Sequence, residues 1–579
     1  METVADALVS TLREFGARYV FGVSGANIEH IHDSLYRLGQ NRLNSVLCKT
    51  ETGAAFMADG YARQTGSIGV CCATSGGGAV NLAVGVAEAR ASGVPVLALV
   101  GCPPKSLQGR GAFQQAEGGG NQVDGEKMWR SVAKRVSVLK VEDFWPNLRS
   151  TLIAMLSGHP GPAVLLIPRD TMEEFVPPCP AGKLHRFCAQ IRESVHSTYP
   201  VPLMPSAMFR SAWLEAKRPV VIAGAGIANS AQLTEWAERE QVPVATTLEA
   251  PSAFPQTNSQ FLGMVGVAGH PTCHDYIERS DCILALGTSL DIMARAPIES
   301  AAREKPVCIV HTNLQALPDW SRLVAIEECP KRWLAQDFLS TDGDSSRLRD
   351  WPEPRPFERS VVRETERTDA SGLGNTQAVE AMQSHLHAFD IVMMDAGNCA
   401  ATAAHHLRFP AGVHSQITLG MGGMGYAVCA GIGAQLARHD QRTLVLCGDG
   451  AMLTTGMELH TAIELGLPIL WVIFNDSQHG MCTTRQRKLF DGRIHATRYS
   501  QVDFVTMVSG LAGDNQIWLA RADSQAAVSR RLQEYLQIEP RVPGMLELEI
   551  STEEVPPFFP FMSAESPKRE RQVVERTLA

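Results

Sequence analysis

Short, nearly unbroken apolar runs recur along the chain, separated by longer stretches in which apolar and polar positions mix at helical spacing. The runs fall at residues 18–23, 68–73, 94–100 and 163–167, then at 219–223, 242–247, 282–287 and 307–311, and finally at 391–395, 443–447, 469–475 and 545–550. A run that is apolar at every position, with no alternation, describes a strand covered on both faces. Strands of that kind joined by helices predict parallel sheets. Two polar, proline-bearing stretches interrupt the alternation. One spans residues 177–205 and holds Pro177, Pro178, Pro180, Pro200, Pro202 and Pro205; the other spans 340–371 and holds Pro352, Pro354 and Pro356. Read as linkers, they divide an α/β chain into three doubly wound parallel-sheet domains, expected at residues 1–176, 190–340 and 372–579.

Composition narrows the function classes. The chain has 579 residues, enough for about three domains that each bury a core. A formal net charge of −9 argues against a nucleic-acid or anionic-membrane partner, which would favour a basic face. No apolar run approaches the ~20 residues of a membrane-spanning helix. Residues 1–14 carry Glu2, Asp6, Arg13 and Glu14 and lack the apolar core of a signal peptide. The 14 cysteines are scattered without paired zinc-type spacing, as expected of reduced thiols in a cytoplasmic protein.

Candidate chemistry lies near the two ends. Residues 49–63 read as a helix whose Ala54, Ala58 and Ala62 share one face, small enough for another backbone to come close. Glu51 opens that helix, where its dipole favours a carboxylate. The run ending at Ala73 leads into Ser75-Gly76-Gly77-Gly78, a turn able to meet a ligand or simply to enter a helix. Near the other end, the run at 443–447 leads into Gly448-Asp449-Gly450, and the run at 469–475 leads into Asp476. Two acids at the C-terminal ends of parallel strands form the usual ligand geometry of an open α/β sheet, and magnesium takes a few such oxygens.

These segments resemble a known family. Glu51-x-x-Ala-Ala-x-Met-Ala-x-Gly-Tyr-Ala-Arg63, then Ser75-Gly76-x-Gly78-x-x-Asn81, then Ser92-x-x-Pro95-Val96, resemble the pyrimidine-binding domain of thiamine-diphosphate enzymes. Ala112-Phe113-Gln114 resembles a segment of acetolactate synthases. Gly448-Asp449-Gly450 with Asn475-Asp476 resembles the motif that anchors thiamine diphosphate through magnesium. Asp395-Ala396-Gly397-Asn398 resembles the segment touching the diphosphate. Gly420-Met421-Gly422-Gly423-Met424-Gly425-Tyr426 resembles the stretch beneath the cofactor, and Gln478-His479-Gly480-Met481 resembles the segment after the metal motif.

The resemblance implies an enzyme that uses thiamine diphosphate and Mg2+. Glu51 would hydrogen-bond the aminopyrimidine ring and share a proton with a ring nitrogen. Asp449, Asp476 and the backbone carbonyl of Gln478 would hold the metal. Gly397, Asn398, Gly422, Gly448, Gly450, Ala451, His479 and Gly480 would line the cofactor. Met424 would be the apolar wedge between its rings, while Gln114 and Met481 would face the reacting carbon.

The middle domain resembles the flavin domain of acetolactate synthases at Ala223-Gly224-Ala225-Gly226, Thr246-Thr247-Leu248 and Gly287-Thr288-Ser289. It departs from that domain at Val267-Ala268 and Asp291-Ile292-Met293. Two readings stand open there: bound FAD, with Arg130 as a contact, or a degenerate structural domain. Other departures are Thr50 for a usual His, Gly77 for a Pro, Asp476 for an Asn and Arg485 for a Trp.

The expected reaction is carboligation, in which a pyruvate-like 2-oxo acid donor is decarboxylated and its acyl carbon joined to a carbonyl acceptor. A non-ligating decarboxylase and an inactive paralogue serving as a binding subunit are the alternatives. In this family the two motifs meet across a subunit interface, which implies a homodimer or a tetramer. His270, His274 and His405 stand open between substrate contacts and core histidines.

Overall fold

The computed structural model describes residues 2–562 apart from 41, 117, 119, 120, 199, 200, 229, 316, 342–346 and 363–371. Parts of both expected linkers and the tail beyond 562 therefore lie outside the described residues. Among the described residues, 18 strands form three six-stranded sheets in which every neighbouring pair runs parallel. Helices cover both faces, confirming the α/β class.

The first sheet comprises β1 (Tyr19–Gly22), β2 (Asn44–Leu47), β3 (Gly69–Ala73), β4 (Val96–Cys102), β5 (Arg135–Val138) and β6 (Ala163–Pro168), in the order β2-β1-β3-β4-β6-β5. The middle sheet comprises β7 (Pro219–Ala223), β8 (Val244–Thr246), β9 (Phe261–Met264), β10 (Cys282–Leu286), β11 (Val307–His311) and β12 (Leu323–Glu327). Its order, β12-β11-β10-β7-β8-β9, is that of a dinucleotide fold, with the switch point between β7 and β10. The last sheet comprises β13 (Ile391–Met394), β14 (His414–Ile417), β15 (Thr443–Gly448), β16 (Ile469–Asn475), β17 (Trp518–Ala522) and β18 (Gly544–Glu549). Its order, β14-β13-β15-β16-β18-β17, repeats the topology of the first.

The segment expected to be the first linker contains a helix, Leu184–Ser197. Its Phe187, Cys188 and Ile191 pack into the core beneath the first sheet. Apolar residues at this spacing within a proline-bounded stretch are covered by a neighbouring surface, which the local sequence does not reveal.

The first and last domains meet through two helices, Glu51–Thr65 and Tyr426–Ala437. Both are buried almost all round, and their backbones touch. A Cβ on Gly60 would lie 2.2 Å from the carbonyl oxygen of Ala430, and one on Gly433 would lie 1.9 Å from that of Met57. The expected close approach is therefore real, but glycines make it; of the alanine face, Ala58 abuts β3 at Gly69. Phe56 and Tyr426 add an edge-to-face contact at 5.2 Å. No helix among the described residues is long and apolar enough to cross a membrane.

Replacing Gly60 by Ala should force these helices apart and destabilise the protein by about 1–3 kcal/mol, the usual cost of overpacking a tight core. Denaturant unfolding measures this; an unchanged midpoint would mean the crossing tolerates a methyl group.

Candidate active site

Two clusters form, one at the start of the helix Glu51–Thr65 and one at strand ends of the last sheet. In the first, Glu51 opens its helix behind Thr50, whose hydroxyl accepts the Gly53 amide at 3.0 Å as an N-cap. The Glu51 carboxylate accepts Asn81 Nδ2 at 3.0 Å. The glycine turn lies directly beside it, since a Cβ on Gly78 would stand 2.8 Å from Glu51 Oε1. Gln114, with φ of 60°, packs its side chain on Gly76 of the same turn. Three sequence segments, 50–53, 76–81 and the one holding Gln114, thus converge here.

The second cluster sits at the C-terminal ends of β13, β15 and β16. Asp449 starts the helix Asp449–Thr455 and is 2 % exposed. Its Oδ1 accepts the Gly450 amide at 2.8 Å, while its Oδ2 is buried without a hydrogen-bond partner. Asp476 accepts Gln478 Nε2 at 3.1 Å. Burial and the neighbouring Asp449 push the Asp476 carboxyl up to about 7, and burial raises Asp449 as well. A Cβ on Gly480 would stand 2.7 Å from Asn398 Nδ2 and 3.2 Å from Asp476 Oδ2, so Gly480 joins these side chains closely. The Asn398 Oδ1 is buried and unpartnered. His479 stacks edge-on to Tyr499, and both rings lie against Gly450. Gly397 and Gly448 open onto space, Ala451 is buried behind them, and Met481 is half-buried at the start of the helix Gly480–Leu489.

The turn 420–425, which carries Gly422 and Met424, leads into the helix Tyr426–Ala437. Asp395 accepts the amides of Gly425 and Ala427 at 3.1 and 2.8 Å; burial pushes its carboxyl up to about 7. Glu88 of the first domain accepts the Met421 amide at 2.6 Å at the other end of the turn. Met424 is 45 % exposed on this held turn. Sequence reasoning assigned no role to Glu88 or Tyr499 and no capping role to Asp395. Nothing in their local sequence marks them, because their partners lie in other domains or across a loop.

Three family models match the chain in order. "Thiamine pyrophosphate enzyme, N-terminal TPP binding domain" covers residues 2–122, the central domain 211–317 and the C-terminal TPP binding domain 395–547. The chain belongs to the thiamine pyrophosphate enzymes. It is 28% identical over 554 residues to an acetolactate synthase large subunit of Haemophilus influenzae, with 92% of each chain covered. It is 27% identical to the mitochondrial acetolactate synthase catalytic subunit of Saccharomyces cerevisiae, covering 96% of this chain and 83% of that one. It is also 27% identical to chloroplastic acetolactate synthase 2 of Nicotiana tabacum, with 82% and 71% covered.

The second cluster of this thiamine pyrophosphate enzyme suits a divalent cation and a diphosphate. A buried acid, Asp449, a partly buried one, Asp476, and the orphaned amide oxygen of Asn398 form a hard, oxygen-only donor set. Among the described residues no group of three His, Cys, Asp or Glu side chains could hold a metal. Two carboxylates therefore need backbone and cofactor oxygens to complete a shell.

The middle domain borders a cleft of about 840 Å3 at its switch point, lined by Gly226, Gly287 and Glu249 together with Arg63 of the first domain and Gln416 of the last. Glycine-rich strand ends at such a point suit a nucleotide. Arg130 does not line this cleft; it pairs with Glu126 on its own helix.

The three candidate histidines are structural. His270 and His405 are fully buried and stack at 4.8 Å where the middle and last domains meet. His270 accepts the Met264 amide on Nδ1 at 2.8 Å and donates from Nε2 to the His405 carbonyl at 2.9 Å. His405 accepts the Phe357 amide on Nε2 at 2.7 Å and donates from Nδ1 to the Ala268 carbonyl at 2.8 Å. His274 packs edge-on to Phe559. Each ring of the stacked pair is committed as a neutral tautomer. Burial, the neighbouring histidines and Arg408 hold His270 far below the usual histidine range; burial above all lowers His405 to about 3.

Both groups have folded values below their unfolded value of about 6.5. Their stabilisation is present above that pH and is lost as pH falls below it, at up to about 1.4 kcal/mol per pH unit for each histidine. Melting temperature should therefore drop between pH 7 and 5, and His405→Gln should flatten the drop. An equal slope in that variant would show that the acid sensitivity arises elsewhere.

Proposed function

We propose that this enzyme is a carboligase that decarboxylates a pyruvate-like 2-oxo acid and joins its acyl carbon to the carbonyl carbon of an acceptor. The new carbon–carbon bond replaces the bond to the released CO2, and the acceptor oxygen takes a proton. The match across 92% of the chain to a protein named acetolactate synthase large subunit carries this reading. Thiamine diphosphate, when bound, supplies the nucleophilic carbon that attacks the donor carbonyl and stores the electrons left by CO2. Asp449, Asp476 and the Gln478 carbonyl would hold Mg2+ and, through it, the diphosphate. Glu51 would share a proton with the pyrimidine ring, in a seat set by Asn81 and the glycine turn. Gln114 and Met481 would border the reacting carbonyl, and Met424 would give the cofactor apolar support. No step runs through the middle-domain cleft, whether or not FAD occupies it.

A homodimer or larger assembly accords with the apolar side chains around the clusters. Val80, Val84, Met421, Leu453 and Met457 are between 42% and 59% exposed, and Val84 lies close to Gly423 of the Met424 turn.

Product analysis tests the reading. Purified protein with thiamine diphosphate and Mg2+, given pyruvate and other 2-oxo acids singly and in pairs, should form a 2-hydroxy-3-oxo product that is lost in Glu51→Gln. Aldehyde alone would make the enzyme a simple decarboxylase, and no turnover with any acid would favour an inactive paralogue.

Acceptor choice is expected to depend on Arg485. It lies one helical turn after Met481, exposed and without an ion pair among the described residues, so its charge is free for an anionic acceptor. Arg485→Trp should shift preference toward neutral acceptors; identical acceptor ratios in parent and variant would refute that role.

A further inference from the structure

Glu458 has no part in the motifs discussed so far, yet it is one of the most fully committed carboxylates in the molecule. It is 0 % exposed and lies on the short turn Gly456–Glu458 that continues the Asp449 helix. Its partners come from the first domain, 408 residues earlier for Thr50. Glu458 Oε1 accepts the Lys49 amide at 3.0 Å, the Thr50 amide at 2.7 Å and the Thr50 hydroxyl at 3.0 Å. Its Oε2 accepts the Lys49 amide at 3.1 Å and the Thr461 hydroxyl at 3.1 Å. Gly53 leaves room for it, since a Cβ there would stand 2.3 Å from Oε1.

These bonds grip the peptide that carries Glu51. Thr50 is the hinge of the arrangement: its hydroxyl donates to Glu458 and accepts the Gly53 amide, so one oxygen joins the clamp to the helix cap. A carboxylate receiving backbone amides at a helix start is also favoured by the helix dipole. The Glu51 side chain is steered separately, by Asn81 and the glycine turn.

We propose that Glu458, acting through Thr50, is a positioning residue for Glu51, fixing its backbone from the domain that carries Asp449. The inference rests on the reading of Glu51 as the acid that meets the pyrimidine ring. Gln at 458 would turn an NH2 toward amide donors, and Val at 50 would remove the shared hydroxyl while keeping the side-chain shape.

The test measures deuterium exchange at the thiazolium C2 position of thiamine diphosphate bound with Mg2+ to the full chain, together with cofactor affinity by calorimetry and melting temperature. Displacement of an acid by a fraction of an ångström should slow exchange about tenfold to a hundredfold in Glu458→Gln and Thr50→Val. Thr50→Ser should exchange at the parent rate, and cofactor affinity should stay close to that of the parent in all three. Parent-like exchange in Thr50→Val and Glu458→Gln, with slow exchange in Glu51→Gln, would overturn the positioning role and leave the reading of Glu51 standing. Parent-like exchange in Glu51→Gln would overturn both. Slow exchange accompanied by equal losses of cofactor affinity and melting temperature, or not restored in Thr50→Ser, would reduce Glu458 to a structural contact and also overturn the proposal.

Discussion

The architecture of this enzyme depends on one backbone-to-backbone contact, where the helix beginning at Glu51 crosses the helix beginning at Tyr426. Gly60 lies against the Ala430 carbonyl and Met57 against Gly433, so the axes come closer than ordinary side chains permit. That closeness brings the helix Gly77–Ala91 of the first domain against the last domain's 420–425 turn. Glu88 can then hold Met421, and Glu458 can hold Thr50. Without the crossing, each carboxylate would keep only one hydroxyl of its own domain, Ser92 for Glu88 and Thr461 for Glu458, and a buried carboxylate so poorly met is costly.

The two clusters differ in how they treat negative charge. Around Glu458 both carboxylate oxygens are met by amides or hydroxyls of the protein. Around the second cluster Asp449 Oδ2 is left without a partner, and Asp449 raises the affinity of Asp476 for protons. A site that leaves its acids unmet is arranged for a cation from outside. The middle domain joins the last through a third device: two histidines locked as neutral tautomers by backbone partners on both sides. Carboxylate oxygens are thus met by protein donors where domains are held together, and one is left unpartnered in the second cluster.

Much of the candidate site was readable because ligand-facing backbone demands particular residues at fixed offsets. Glycines beside Glu51 and acids after two apolar runs stand out in any single segment, and the structure gathers them into two clusters. The residues that hold them were silent. Glu88 and Glu458 look like ordinary helix glutamates, and only the presence of another domain over them shows that they are buried. The helix Leu184–Ser197 was hidden for the same reason: flanking prolines suggested a linker, and its burial depends on the first sheet's underside.

The strands divide along the same physical line. The twelve apolar runs named from the sequence correspond to the twelve interior strands of the three sheets. The six others, β2, β5, β9, β12, β14 and β17, are the six edges. An interior strand is buried on both faces and flanked on both sides, so its composition alone declares it. An edge strand has a neighbour on only one side, and most of these are short and half-exposed, as β2 and β12 are; nothing but the adjacent strand makes them strands. The sequence by itself therefore determined the class of fold, the number of sheets and the segments that gather into the candidate site, because each rests on burial or backbone geometry local to a segment. Sheet edges, the domain crossing and the carboxylates that clamp it were decided by tertiary structure alone, because their free energy comes from partners hundreds of residues away.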